Sequence, residues 1–150
     1  RTKAIIVDLD GTLYDSSGRK HYVEGGERNY DKFYQAAKFD RPHEWCKEIV
    51  RRFYTDHEII YVSGRPETYD LEARDWMRKH GIPYPGLPWV QLFMRKAGDF
   101  RKDCVIKKEI YDWHIKGRYD VSFVLDDRKQ VADMWRAEGL VCLLCDEGNF

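Results

Sequence analysis

The 150-residue chain reads as an α/β domain, a doubly wound and mostly parallel sheet with a small flap or cap inserted around residues 14–41. Three observations predict this. Apolar runs of the kind found in strands covered on both faces end in polar residues at three separate places. Helical patterns with recognisable start and stop signals lie between them. One long block, Ser16 to Arg41, fits neither pattern and follows the first strand directly.

Lys3 to Leu9 is the first apolar run and passes into Asp8-Leu9-Asp10. In the block that follows, Gly25-Gly26 marks a loop, and Tyr30 to Phe39 reads as a short helix. Pro42 suits a first helical turn, after which Trp45, Cys46, Ile49, Val50 and Phe53 recur at spacings of three and four. Glu58 to Val62 is the second run and leads into Ser63-Gly64-Arg65. Thr68 to His80 reads as a helix stopped by Gly81, a left-handed cap. Trp89–Phe93 gives a weaker strand. Asp103 to Ile115 predicts a helix with Ile106, Ile110 and Trp113 on one stripe. Val121 to Leu125 runs into Asp126-Asp127-Arg128, Arg128 to Glu138 forms a helix ended by Gly139, and Leu140–Leu144 gives a last weak strand. Repeats and low-complexity segments are absent from the sequence.

Composition narrows the function classes. The 26 basic and 26 acidic residues cancel, so no overall field draws the chain onto nucleic acid or an anionic membrane, and any polyanion contact must be local. Four cysteines are too few for a secreted disulfide framework, which points to a reducing, cytoplasmic setting. No apolar run approaches the roughly 18 residues of a membrane span. The sequence begins at Arg1, as expected of a domain excised from a longer chain.

In an open parallel sheet, ligands bind beyond the carboxyl ends of the strands. Asp8, Asp10, Ser63, Arg65, Asp126 and Asp127 all fall at or just past such ends. Asp8-Leu9-Asp10-Gly11-Thr12 puts two carboxylates two residues apart before a glycine that permits a sharp turn. This suits a nucleophile beside an acid/base, provided a cation relieves the repulsion between carboxylate and phosphate. Asp126-Asp127 can supply oxygen ligands to that cation, a donor set that selects magnesium. Either pair alone is equally a pair of turn or cap aspartates. Together with Ser63 and Lys107 in this order they point to chemistry.

These residues resemble haloacid-dehalogenase-type phosphatases, whose fold is HAD-like and Rossmann-type. Within that superfamily the chain is similar to the 3′-phosphatase domain of bacteriophage polynucleotide kinase/phosphatase. The likeness rests on Asp8-Leu-Asp-Gly-Thr-Leu13, Gly18-Arg19, Val62-Ser-Gly-Arg65, the run from Gly98 to Ile110, and Leu125-Asp-Asp-Arg-Lys-Gln-Val131 followed by Met134-Trp135-Arg136. The segment from His21 to Arg41 has no counterpart in it. The resemblance implies an Mg2+-dependent phosphatase acting through an aspartyl-phosphate. Asp8 would be the nucleophile and Asp10 the general acid and then base. Magnesium would sit on Asp8, the Asp10 carbonyl, and Asp126 or Asp127. Ser63 and Lys107 would hold the phosphoryl oxygens. Arg19, Arg65, Gly64, Thr12, Arg101 and Asp103 would complete the substrate-binding set. The expected partner is a nucleic-acid 3′-phosphate end or a nucleoside 3′-monophosphate, as in DNA or RNA end repair, with no membrane involved. A kinase domain, if one belongs to the protein, would lie upstream of Arg1, because no Gly-x-x-x-x-Gly-Lys-Ser/Thr loop occurs in these residues.

Several features have blander readings. Asp103 and Lys107 are one helical turn apart, so the carboxylate could steer the ammonium, or the two could form an ordinary surface pair. From Arg95 to Lys108 six basic residues could hold nucleic-acid phosphates or form a solvated face. Cys142 and Cys145 read as structural thiols. Tyr30, Phe33, Tyr34 and Trp45 have helical spacing and read as core, which leaves Tyr14 and Tyr22 as the aromatics expected to touch a base. Two other functions compete with the leading one. One is a small-molecule nucleotidase using the same groups. The other is a phospho-accepting signalling module, although such modules place the acidic pair before the acceptor and this chain reverses that order.

Overall fold

A computed structural model describes residues 1–147. It contains a five-stranded sheet in the order β3-β2-β1-β4-β5, with every pairing parallel. The strands are β1 (Thr2–Val7), β2 (Glu58–Pro66), β3 (Val90–Arg95), β4 (Tyr119–Asp126) and β5 (Cys142–Leu144). The helices are α1 (Tyr30–Gln35), α2 (Glu44–Phe53), α3 (Asp70–Lys79), α4 (Asp103–Ile110) and α5 (Lys129–Ala137). The sheet is therefore wholly parallel, where the sequence supported only a mostly parallel one.

β1 is central, and its side chains alternate between two cores. Ile5 and Val7 pack with Ile59, Tyr61, Cys46, Val50, Trp76 and Met77 under α2 and α3. Ala4 and Ile6 pack with Ile60, Val62, Val124, Ile110, Val131 and Trp135 under α4 and α5. This period-two division explains why the strands read as continuous apolar runs, since both faces are covered. The chain builds leftward from β1 to β3 and then crosses to β4, so the order reverses between β1 and β4. That is the position where a crevice opens in such sheets.

Two helical expectations need correction. Past Ile110 the helix loosens into a π turn over Tyr111–Ile115, which shifts the phase of the apolar stripe. Tyr111 and Ile115 are buried in consequence, and Trp113 is 59% exposed. Trp45 likewise faces outward on α2, while Cys46 and Val50 fill the core. The segment after β1 contains a 3-10 turn at Ser17–Tyr22, then α1, then a second 3-10 turn at Ala36–Phe39. None of the residues of α1 is buried. Among the described residues, no helix is long and apolar enough to cross a membrane.

Candidate active site

β1 delivers Asp8 to the carboxyl edge, where its backbone N–H donates to Leu125 O at 3.0 Å. The chain then folds back, and Leu9 O accepts the N–H groups of Thr12 and Tyr14 at 3.1 and 3.0 Å. Gly11 makes this possible with φ +84°, a conformation that side chains resist. A Cβ at Gly11 would also collide with the Asp127 carboxylate. The glycine thus allows the loop to lie against the end of β4.

The floor of the crevice is a charge cluster. Lys107, fully buried on α4, donates from Nζ to Asp8 Oδ1 at 2.9 Å and to Asp126 Oδ2 at 2.8 Å. Thr12 Oγ1 donates to Asp8 Oδ2 at 3.0 Å. Carboxylate oxygens of Asp8, Asp126 and Asp127 lie within 4.8 Å of one another. Burial, with Asp126 next, pushes the Asp8 carboxyl well above the usual range. Burial also drives Asp127 up to about 6, with Asp126 adding to it. On Lys107 burial acts the other way, but Asp126 and Asp8 outweigh it and keep the ammonium charged. Three buried carboxylates therefore crowd together here, and Lys107 pairs with two of them, Asp8 and Asp126. An oxygen donor set with surplus negative charge fits a hard divalent ion such as magnesium.

The opposite wall is balanced. Asp10 receives Arg19 at 2.5 Å and Arg65 at 2.6 Å, both arginines being almost completely buried. Burial would raise the Asp10 carboxyl, but Arg65 and Arg19 prevail and hold it far below the usual range. Arg19 is further fixed by Asp40, which accepts from Nε at 2.9 Å, and by Phe33 O at 3.0 Å. Its guanidinium lies 4.3 Å from the Phe33 ring centroid. Arg19 is thus a buried clamp on Asp10. Asp40 escaped the sequence reading because nothing marks it among the charged residues of the flap.

The third side comes from β2. Its pairing with β3 shifts register between Ser63 and Pro66, which turns Ser63-Gly64-Arg65 toward the crevice. Ser63 Oγ accepts the Arg65 N–H at 3.0 Å. Gly64 borders Asp103 so closely that a Cβ would overlap its carboxylate. Asp103 pairs with Arg95 at 2.5 Å and Arg128 at 2.6 Å. Lys107, one turn along the helix, pairs with Asp8 and Asp126, so Asp103 acts on the ammonium only through the field. Arg95 is itself buried and spends its donors on Gly64 O (2.7 Å), Asp99 O (2.9 Å), Arg101 O (2.5 Å) and Asp103. It is a scaffold residue holding the 96–102 loop, where the sequence suggested a phosphate contact.

Asp8, Asp10, Arg19, Ser63, Gly64, Arg65, Asp103, Lys107, Asp126 and Asp127 are thus gathered at the carboxyl edge between β2, β1 and β4. Thr12 is there too, but its hydroxyl is used on Asp8, inside the protein. Arg101 stands apart, locked by Asp99 at 2.8 Å and Glu109 at 2.6 Å. Tyr14 reverses its expectation. It is 0% exposed and stacks on Trp76 at 3.6 Å, with the Arg65 guanidinium 4.4 Å from its ring. It supports Arg65 and cannot meet a base. Cys145 also lies close by, donating from Sγ to Asp126 O at 3.1 Å, and all four cysteines are free.

Known proteins resemble this chain in sequence and fold. The family described as the polynucleotide kinase PNKP phosphatase domain matches residues 2–150. A protein of Autographa californica nuclear polyhedrosis virus, provisionally named a bifunctional polynucleotide kinase/RNA ligase, is 30% identical over 134 residues, covering 89% of this chain and 18% of its own length. A solved chain of the Pnkp1/Rnl/Hen1 RNA repair complex superposes with a TM-score of 0.82 at 34% identity, covering 99% of this chain and 44% of that one. The class C acid phosphatase of Bacillus anthracis shares the fold at 16% identity and a TM-score of 0.66, covering 100% of this chain and 68% of that one. The chain therefore spans less than half the length of these relatives that share 30% or more of its sequence. With the family matched across nearly all its residues, and the aspartate pairs, lysine and arginines gathered at one sheet edge, this chain belongs to the haloacid-dehalogenase-type PNKP phosphatase-domain family.

Proposed function

We propose that the chain removes 3′-terminal phosphates from nucleic-acid ends, with Asp8 as nucleophile and magnesium as cofactor. The observation that carries this is the floor cluster, where Asp8 shares Lys107 with buried Asp126, lies beside buried Asp127 and stands two residues from a clamped Asp10. Asp8, Asp126 and Asp127, with the Asp10 carbonyl, would hold the ion. When bound it supplies the positive charge that lets an anionic nucleophile approach a dianionic phosphate.

The chain's own groups account for the rest. Lys107 aligns Asp8 Oδ1, and Thr12 fixes Oδ2, so one carboxylate conformer is presented to the phosphorus. Lys107 and Ser63 would receive phosphoryl oxygens, a fixed positive and polar environment of the kind that phosphoryl transfer relies on. An Asp8 oxygen bonds to phosphorus as the P–O bond to the 3′ oxygen breaks. The 3′ oxygen keeps the bonding pair and takes a proton from Asp10. In the second step water attacks the phosphoryl group, Asp10 takes the water proton, and phosphate leaves Asp8. With both arginines on it Asp10 is a carboxylate, suited to the second step. The first step requires the arriving phosphate to draw Arg19 and Arg65 toward itself, so that Asp10 can hold a proton.

Residues 1–147 contribute their strands to one sheet, which supports reading the chain as one domain, and the much greater length of its relatives supports a larger parent protein. A kinase elsewhere in that protein belongs to the same proposal. A panel of short DNA and RNA strands with 3′-phosphate, 5′-phosphate or 2′,3′-cyclic ends tests the substrate. Magnesium-dependent release from the 3′-phosphates above all others is expected. Equal or reversed preference would favour a small-molecule nucleotidase.

A further inference from the structure

The α1 aromatics that read as core in the sequence lie partly exposed beside the Arg19 clamp. On α1, Tyr30 is 46% exposed and Phe33 and Tyr34 are half-buried, and a half-buried Tyr69 joins them from the start of α3. Their rings meet at edges, with centroids 6.4 Å apart for Tyr30–Phe33, 6.0 Å for Tyr30–Tyr34, 5.6 Å for Phe33–Tyr34 and 5.8 Å for Tyr34–Tyr69. Tilted contacts of this kind leave ring faces uncovered by neighbouring rings. A cluster of four aromatics outside both cores needs a reason beyond stability.

Its place supplies one. Phe33 touches the Arg19 guanidinium, and the same guanidinium holds Asp10, so a single side chain separates the rings from the acid/base. Tyr34 packs against the Phe33 ring that the Arg19 guanidinium covers, which puts it one contact further from the same clamp. A nucleoside whose 3′-phosphate lay against Asp8 would carry its base away from the buried floor, toward the flap. Aromatic rings beside a phosphate site recognise that chemistry through the π-faces common to all bases.

We propose that Tyr30, Phe33, Tyr34 and Tyr69 form a stacking platform for the terminal nucleobase of the strand whose phosphate is removed. This rests on reading the site as one for nucleic-acid ends. Recognition by stacking selects a base from no base and tolerates all four bases. It also requires an unpaired end, since a base within a duplex has its faces covered.

The test compares 3′-phosphorylated single strands that differ only in whether the last nucleotide has a base or is abasic. For the unaltered chain the based end should show a KM lower by about tenfold, the scale of one stacked base. Tyr34→Ala, and the more exposed Tyr30→Ala, should erase most of that difference while leaving the KM of the abasic strand unchanged. Tyr34→Phe should retain it, because the ring and not the hydroxyl makes the contact. Equal KM for based and abasic ends in the unaltered chain would overturn the platform, as would a Tyr34→Phe loss as large as that of Tyr34→Ala. If the alanine variants instead dissociate a dimer in sedimentation without changing either KM, the rings join two copies of the chain and the proposal falls. If the chain prefers 5′-phosphates, the same comparison with a nucleoside 5′-phosphate and deoxyribose 5-phosphate decides the platform, and only the substrate assignment is lost.

Discussion

The two walls of the crevice carry charge in opposite ways. Around Asp10 two carboxylates, counting Asp40, face two buried arginines, and the wall is electrostatically complete. Around Asp8 three carboxylates lie together while Lys107 pairs with two of them, and within this group the floor is short of positive charge. A cluster left short in this way costs stability in proportion to its burial, and it returns that energy when a cation arrives. Under the proposed function this difference means that the floor would take an ion and the wall an incoming anion that competes for the arginines.

The largest expected effects come from removing the groups that define each side. Asp8→Asn should reduce magnesium-dependent turnover to background, because an amide neither attacks phosphorus nor binds the ion well. Lys107→Met should also stop turnover, and without metal it should destabilise the fold by about 3–5 kcal/mol, since it strips the cation from buried carboxylates. Chemical denaturation with and without magnesium measures this. A stable, active Lys107→Met variant would show that the floor is not short of charge.

The balanced wall should respond less in folding and as clearly in rate. Arg19→Ala and Arg65→Ala should lower turnover far more than Lys96→Ala or Lys102→Ala, whose effect should be confined to the salt dependence of binding. Arg65→Ala should cost more stability than Arg19→Ala, because its guanidinium also packs over Tyr14 within the core. Comparable turnover losses in all four variants would mean that the wall is not where the phosphate arrives.

The pH dependence separates the two sides. The Asp127 carboxyl, raised to about 6, favours folding while protonated, and that contribution is lost as pH climbs from about 4 through about 6. Asp8, also raised, acts in the same direction. Asp10, held low, stabilises above the ordinary carboxylate range and loses its contribution only in strong acid. Metal-free protein should therefore melt at lower temperature at pH 7 than at pH 5, and magnesium should raise the Tm more at pH 7. An identical magnesium shift at both values would argue against carboxylate ligation on the floor. The smallest effect is expected from Arg101→Ala, less than about twofold in turnover, since Asp99 and Glu109 already occupy that side chain.

Much of this was legible in the sequence. The apolar runs of β1, β2 and β4 marked strands covered on both faces, and their polar ends marked the edge where Asp8, Ser63 and Asp126 meet. What escaped depended on side-chain direction and not on residue type. Arg95 resembles its basic neighbours, yet its position at the end of β3 sends it inward to carbonyl oxygens. Tyr14 follows a polar turn but is drawn into the core by the backbone bonds that close the Gly11 loop. A π turn moved Trp113 off the apolar stripe, because a helical period cannot register one inserted residue. The aromatic spacing on α1 is real, but it packs against a charged site and not against the sheet.

The most direct test of the Asp8 assignment uses Asp10→Asn with p-nitrophenyl phosphate and magnesium. Nitrophenolate leaves without a proton, so the first step survives, while loss of the base slows release of the phosphoryl group. A burst of nitrophenolate equal to the enzyme present is expected, with the trapped phosphoryl group found on Asp8 in the quenched protein. A linear trace with no burst, or a phosphoryl group on any other residue, would contradict it.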